Sequence, residues 1–302
     1  MTQTVVNRSG ILLVDKPAGI TSHDAVSRTR RAAGTRKVGH AGTLDPMATG
    51  LLVLGINAST RLLTFVVGLD KEYFATIRLG SSTTTDDAEG DPLEVASAKS
   101  VAGITEAEVT AGLANLTGVV RQVPSSVSAI KVGGKRAYAL VREGETVELA
   151  ARTVTISSIE VLASRRGNGF LDVDVRVECS SGTYIRAIAR DLGAALGVGG
   201  HLRALRRTRI GPFDVLDAVT ELTPERVDSA LLTPSVAAMR LFPHWRLTAE
   251  EAIDLANGKR VAHAGADMGP IAAIAPDGSL VGLVQRVSGV AKSIVNFPKD
   301  TE

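Results

Sequence analysis

Between Leu171 and Cys179 the chain alternates without a break. Leu171, Val173, Val175, Val177 and Cys179 are interleaved with Asp172, Asp174, Arg176 and Glu178. Successive side chains of a strand point to opposite faces, so this stretch is a strand with one dry face and one wet face. The pattern puts Cys179 on the dry face, as a core residue rather than a nucleophile. Tyr73, Ala75, Ile77 and Leu79 alternate with Phe74, Thr76 and Arg78 in the same way. Ile11–Val14, Leu51–Ile56 and Val154–Val161 read as further strands, and His201–Phe213 as an extended segment. The acidic stretch Ser81–Asp91 reads as loop.

Helices are marked by their ends. Thr21 or Ser22 caps a helix running to Ala33, with Asp24 in its first turn and Gly34 closing it. Thr105-x-x-Glu108 and Thr248-x-x-Glu251 are capping boxes, and Thr223-Pro224-Glu225 opens another helix. Tyr184–Leu196 reads as a helix with Ile185, Ile188, Leu192 and Leu196 inward. Arg186 falls in its first turn, where a cation opposes the helix dipole, so an anion is expected nearby. With 302 residues, the chain is long enough for a large domain and a smaller one. The pattern breaks from Thr233-Pro234 to Pro243-His244, which reads as a linker.

The composition, 44% apolar and 22% charged, is that of a globular chain. One cysteine excludes an internal disulfide and a cysteine-cluster metal site. The segment Met1–Arg8 lacks the apolar core of a secretory signal, and no run approaches the ~18 apolar residues of a membrane span. These features suit the cytosol. Net charge is +2, yet arginines crowd two blocks, Met1–Arg61 and Arg186–Gly211, while acids dominate from Asp86 to Glu108. Two basic blocks fit a polyanion-binding face, and solvated helix faces fit the same statistics.

The stretch Gly39-His40-Ala41-Gly42-Thr43-Leu44-Asp45-Pro46-Met47-Ala48-Thr49-Gly50 combines three glycines, one histidine and one carboxylate. Pro46 stiffens its own position and biases Asp45 toward extended backbone. Asp45 on this loop reads either as a group aimed at a ligand or as the cap of an ordinary glycine-rich turn. Further on, Lys131, Gly133, Gly134, Lys135, Arg136, Tyr138 and Arg142 form a basic, glycine-hinged segment, read as a binding loop or a surface hairpin.

Six motifs in order give the chain a close resemblance to the bacterial tRNA pseudouridine-55 synthase family over most of residues 10–212. They are Gly10–Ser22 with Lys16-Pro17 and Gly19, the stretch Gly39–Gly50, Lys71-x-Tyr73 with Leu79-Gly80, Ser128-Ala129-Ile130-Lys131 with Gly134 and Tyr138, Ser181–Arg186, and Gly200-His201-Leu202-x-x-Leu205-Arg206-Arg207-Thr208. The sequence departs from the common pattern at Pro124-Ser125, Val127 and Val141.

The resemblance implies an α+β fold with a mixed, largely antiparallel central sheet flanked by helices. It implies a catalytic domain over residues 1–240, with an RNA-binding thumb at about 121–150, and a small β-rich PUA-like RNA-binding domain over 247–302. The implied reaction is isomerisation of uridine-55 in the T-loop of tRNA, by base flipping and an aspartate-dependent exchange of the glycosidic bond. Asp45 is then the catalytic residue. Arg186 pairs with it and keeps it ionised, and Tyr73 stacks on the base. His40 fills the space the base leaves, and Tyr184 supports the site. Lys16, Lys131, Arg142, Arg206 and Arg207 are the implied RNA contacts. No cofactor, metal, membrane or obligatory protein partner is implied, and the enzyme is expected to be a cytoplasmic monomer.

Overall fold

The computed structural model describes residues 8–125, 131–132, 135–136, 149–298 and 300. Tyr138 and Arg142 of the expected thumb lie outside the described residues, as does the side chain of Lys131. The chain forms two compact units. One draws on the chain up to Pro46, on Gly50–Val67 and on the chain from Gly211; the other draws on Met47–Thr49 and Gly68–Ile210.

The first unit begins with β1 (Gly10–Lys16), α1 (Ser22–Ala33), β2 (Val38–Ala41) and β3 (Thr49–Ile56). β3 is antiparallel to both β1 and β2, with Leu12 opposite Leu54 and Asp15 opposite Leu51. Leu12, Val14, Leu52, Leu54 and Ile56 are buried against Ala25, Val26, Ala32 and Ala33 of α1. Thr21 caps α1 and forms a reciprocal box with Asp24, while Gly34 closes the helix in the left-handed conformation at φ 64°. From Gly39 to Ala41 the expected loop is instead strand β2, because His40 pairs with Leu54 and Ala41 with Val53.

The same unit carries a second sheet. Its strands run in the order His244–Arg246, Met268–Ile274, Leu280–Val287, Val290–Asn296 and Val261–Ala262, with only the first pair parallel. The helix Ala249–Ala256 starts at the capping box of Thr248 and Glu251 and buries Leu255 beside Ile271, Ala273 and Val281.

The second unit contains β4 (Lys71–Leu79), β5 (Gly118–Gln122), β6 (Arg152–Gly167), β7 (Phe170–Cys179), α2 (Ile185–Ala195) and β8 (Gly200–Ile210). The spatial order β8-β4-β7-β6-β5 is antiparallel throughout. The alternation in β7 is realised from Val173 on: Val173, Val175, Val177 and Cys179 are buried and Asp174, Arg176 and Glu178 are not, while Asp172 on the other face is buried too. On the wet face Asp172 receives Arg78 and Arg203, both at 2.7 Å, and Arg176 meets Glu160 at 2.8 Å. Burial raises the Asp172 carboxyl, but its hydrogen bonds from Arg78 and Arg203 outweigh this and hold it below its ordinary value. The expected loop after β4 is partly a hairpin, Ser81–Thr83 pairing with Pro92–Val95. The fold is thus mixed α+β with a largely antiparallel sheet and a β-rich C-terminal region.

α2 covers the dry face with Ile185, Ile188 and Leu192. It comes so close to the start of β8 that a Cβ on Gly193 would lie 2.2 Å from Gly199 C and Gly200 N. In an open helix Gly→Ala stabilises by about 1 kcal/mol. Here the added carbon meets backbone, so Gly193→Ala is expected to cost about 1–3 kcal/mol and to lower the thermal midpoint by several degrees in a calorimetric scan. Burial pushes the Cys179 thiol up to about 11. A chromogenic disulfide reagent at pH 8 is therefore expected to leave the folded protein untouched and to react only after denaturation.

Candidate active site

Asp45 is half-buried, and both of its neighbours are pinned by side chains from the start of the first unit. On one side, the Ser22 hydroxyl accepts from Leu44 N–H at 2.8 Å and donates to the Leu44 carbonyl at 3.1 Å. Thr21 does the capping of α1, so the hydroxyl of Ser22 is available for this clasp. On the other side, the Pro46 carbonyl accepts from Gly19 N–H at 2.9 Å and from Lys16 Nζ at 3.3 Å. The Lys16 ammonium also donates to the carbonyls of Ile20 at 2.8 Å and Pro17 at 2.9 Å. These bonds fix the backbone on both sides of the Asp45 carboxylate.

Lys16 is 0% exposed. A wholly buried ammonium engaged with backbone carbonyls does not reach an RNA phosphate, so the structure differs from the expectation and makes Lys16 a brace of the loop. His40 sits on β2, with its ring edge-on to His23 of α1 at 5.5 Å. Gly42 turns the chain after β2 at φ 89°, a conformation that side chains disfavour.

In the second unit Tyr73 and Lys71 share the dry face of β4 and are buried. Arg207 is directly opposite Tyr73 in the β4–β8 pairing and is 1% exposed. It too is a buried group rather than a surface phosphate contact. Burial first, and then the neighbouring Arg207 charge, pull Lys71 down to about 8. Arg206, the next residue back, is half-buried, with Nη1 3.5 Å from the Thr49 hydroxyl.

Arg186 is buried in the first turn of α2. Its Nη1 donates to the Thr85 carbonyl at 2.8 Å and lies 3.3 Å from Asp87 Oδ2, in a pair whose side chains are each 4% exposed. Asp87 supplies an anion that the helix position calls for. Neighbouring Asp86 approaches Arg190 Nη1 at 3.3 Å. The acidic stretch and the second arginine block therefore meet, which their separation in sequence hides. Tyr184, the residue before α2, is half-buried, and its backbone is engaged by the Gln122 side chain.

Asp87, Ser22 and Gln122 were not singled out from the sequence as site residues. The only signals were the acidity around Asp87 and the choice of Thr21 or Ser22 as cap. Gln122 gave none. Among the described residues no cluster of histidine, cysteine, aspartate and glutamate could hold a metal ion, and no helix is long and apolar enough to cross a membrane.

Comparison with known proteins defines the class. The family model for the N-terminal domain of TruB family pseudouridylate synthases matches residues 30–185. The model for the tRNA pseudouridylate synthase B C-terminal domain matches residues 186–232, and that for the C terminus of tRNA pseudouridine synthase II matches residues 242–298. The chain belongs to the TruB family of pseudouridylate synthases. It is 59% identical over 295 residues to the tRNA pseudouridine synthase B of Leifsonia xyli subsp. xyli, covering 97% of each chain. It is 58% identical to the protein of that name from an Arthrobacter species, covering 97% of this chain and 98% of that one. Among solved structures, an H/ACA RNP bound to a substrate RNA containing 2′-deoxyuridine contains a chain of like fold. The TM-score is 0.70 at 22% identity, over 98% of this chain and 87% of that chain.

The clasp around Asp45 makes a direct prediction. Ser22→Ala removes the partner of a buried backbone N–H and carbonyl, which costs about 1–3 kcal/mol. The variant is expected to lose that stability in denaturant titrations and to turn over more slowly, with RNA affinity unchanged. A wild-type rate would show that the loop does not need the clasp.

Proposed function

We propose that this chain isomerises uridine-55 to pseudouridine in the T-loop of tRNA, with Asp45 as the catalytic carboxylate. The observation that carries this reading is the bracketing of Asp45, the only acid of its loop, by Ser22, Gly19 and Lys16. The names of the relatives supply the substrate class.

The reaction breaks the C–N glycosidic bond, turns the base and rejoins it to the ribose through carbon. Substrate and product are isomers, so no electrons are gained or lost and no redox cofactor is called for. A carboxylate serves by attacking the sugar or by removing a ribose proton, and either route holds the ribose while the base reorients. The target nucleotide must first leave its stack. Tyr73 provides an aromatic face for the extruded base, and such stacking is worth about 1–3 kcal/mol per base. His40 fills the vacated space, and Tyr184 supports the site. Arg186 keeps the catalytic carboxylate ionised. Arg206, Lys131 and Arg142 hold phosphates, giving affinity that falls with salt and carries little sequence information. Lys16 and Arg207, being buried, brace the site instead.

In this reading residues 1–240 are the catalytic domain, about 121–150 an RNA-binding thumb, and 247–302 a PUA-like second RNA contact. The enzyme works as a cytoplasmic monomer with no protein partner. Recognition rests on T-loop shape more than on base sequence.

The test uses pure protein and an unmodified tRNA transcript labelled with tritium at uracil C5. Forming the new carbon–carbon bond expels that tritium into water, and mapping the product locates the modified nucleotide. Wild-type protein is expected to release tritium in proportion to pseudouridine at position 55. Asp45→Asn is expected to bind the transcript and release none. Isomerisation by Asp45→Asn, or release of free uracil by the wild type, would sink the assignment.

A further inference from the structure

Gln122 ends β5 with its side chain buried at 5% exposure. Its carboxamide makes a two-point contact with a single residue across the unit. Oε1 accepts from Tyr184 N–H at 2.8 Å, and Nε2 donates to the Tyr184 carbonyl at 3.0 Å. An adjacent strand would present the same donor and acceptor pair. Tyr184 is the N-cap of α2 and gives that helix no side-chain cap, so the start of α2 is fixed from outside by Gln122.

Two residues further on is Arg186, whose tip is held by Thr85 and Asp87. One turn beyond, Arg190 Nη2 donates to the carbonyl of Val123, the neighbour of Gln122, at 2.8 Å. α2 is thus stitched to the end of β5 at two heights, while the Arg186 guanidinium is held by the segment that follows Thr83. The tip contacts set where the charge can sit. The Gln122 contact sets where its backbone starts.

We propose that Gln122 is a positioning residue for the reaction: through the Tyr184 backbone it sets the first turn of α2 and hence the placement of Arg186. This rests on the role of Arg186 given under the proposed function. The chemistry of the contact explains the residue type. An amide donates and accepts at once and carries no charge into a buried place. A carboxylate of identical size accepts from Tyr184 N–H but sets a second oxygen against the Tyr184 carbonyl. Asparagine is one methylene too short to reach both groups.

The experiment compares single-turnover rates at saturating protein, and tRNA dissociation constants, for wild type, Gln122→Ala, Gln122→Glu and Arg186→Ala. Gln122→Ala is expected to react roughly 10- to 100-fold more slowly, the scale of a misplaced catalytic group, with its dissociation constant for tRNA unchanged. Gln122→Glu adds a readout that a loss of packing would not move. Burial and the facing carbonyl raise the new carboxyl above the ordinary glutamate value of about 4.3. As pH falls it takes up a proton, and its O–H then donates to the Tyr184 carbonyl as the amide did. The rate of Gln122→Glu relative to wild type is therefore expected to rise from pH 8 to pH 6, while the relative rate of Gln122→Ala stays level.

A wild-type rate for Gln122→Ala, a defect confined to tRNA affinity, or a pH-independent ratio for Gln122→Glu would each overturn the proposal. If Gln122→Ala does not fold, the Gln122→Glu series decides alone. Full activity of Arg186→Ala would overturn the role of Arg186 and this inference together. Activity lost with Arg186→Ala but kept with both Gln122 variants would overturn only the inference.

Discussion

The Asp45 loop depends on a buried ammonium. Lys16 Nζ lies among the carbonyls of Pro17, Ile20 and Pro46, at the end of β1 and beneath the turn that leads into α1. Removing an ammonium from water is costly unless hydrogen bonds replace its hydration. Three carbonyls do so, and these belong to two stretches of chain distant in sequence. The charge therefore holds the Pro17–Ile20 turn and the segment at Pro46 in one arrangement. Ser22, at the first turn of the following helix, adds a second tie on the other side of Asp45. One short segment, Lys16–Ser22, thus fixes the backbone on both sides of Asp45.

Electrostatics in the second unit follow a related logic. The arginines of the second basic block are largely matched: Arg186 with Asp87, Arg190 with Asp86 and Asp191, Arg203 with Asp172, and Arg209 with Glu178. A row of arginines in a sequence does not by itself make a phosphate-binding surface, because folding brings carboxylates to it. The matched pairs instead order the wet face of the sheet and the ends of α2. The buried pair Arg186–Asp87 differs from the exposed ones. Breaking it would leave an uncompensated charge out of water, which is far costlier than losing a surface pair.

The elements that were legible in the sequence share a physical property, namely that a local pattern determines them. Strict alternation fixed β4 and β7 because a strand with one dry face must bury every second residue. Capping boxes at Thr105, Thr248 and the start of α1 appear where the local hydrogen bonds demand them. Gly39–Ala41 has the composition of a loop, whereas β2 exists through its pairing with β3. The hairpin Ser81–Val95 escaped for the same reason. Its second strand, Pro92–Val95, is exposed throughout and carries no burial pattern.

The residues alone identified the acid of the Gly39–Gly50 loop, the core placement of Cys179 and the need for an anion near Arg186, since each follows from composition or local geometry. The motifs in their order pointed to the family. Only the tertiary structure decided that Asp87 is an anion beside Arg186, that Ser22 clasps Leu44, and that Gln122 holds Tyr184. It also turned Lys16 and Arg207 from expected phosphate ligands into buried groups. The reason is common to all five. Which polar groups meet in the interior depends on contacts between segments far apart in sequence, and no local periodicity encodes those pairings.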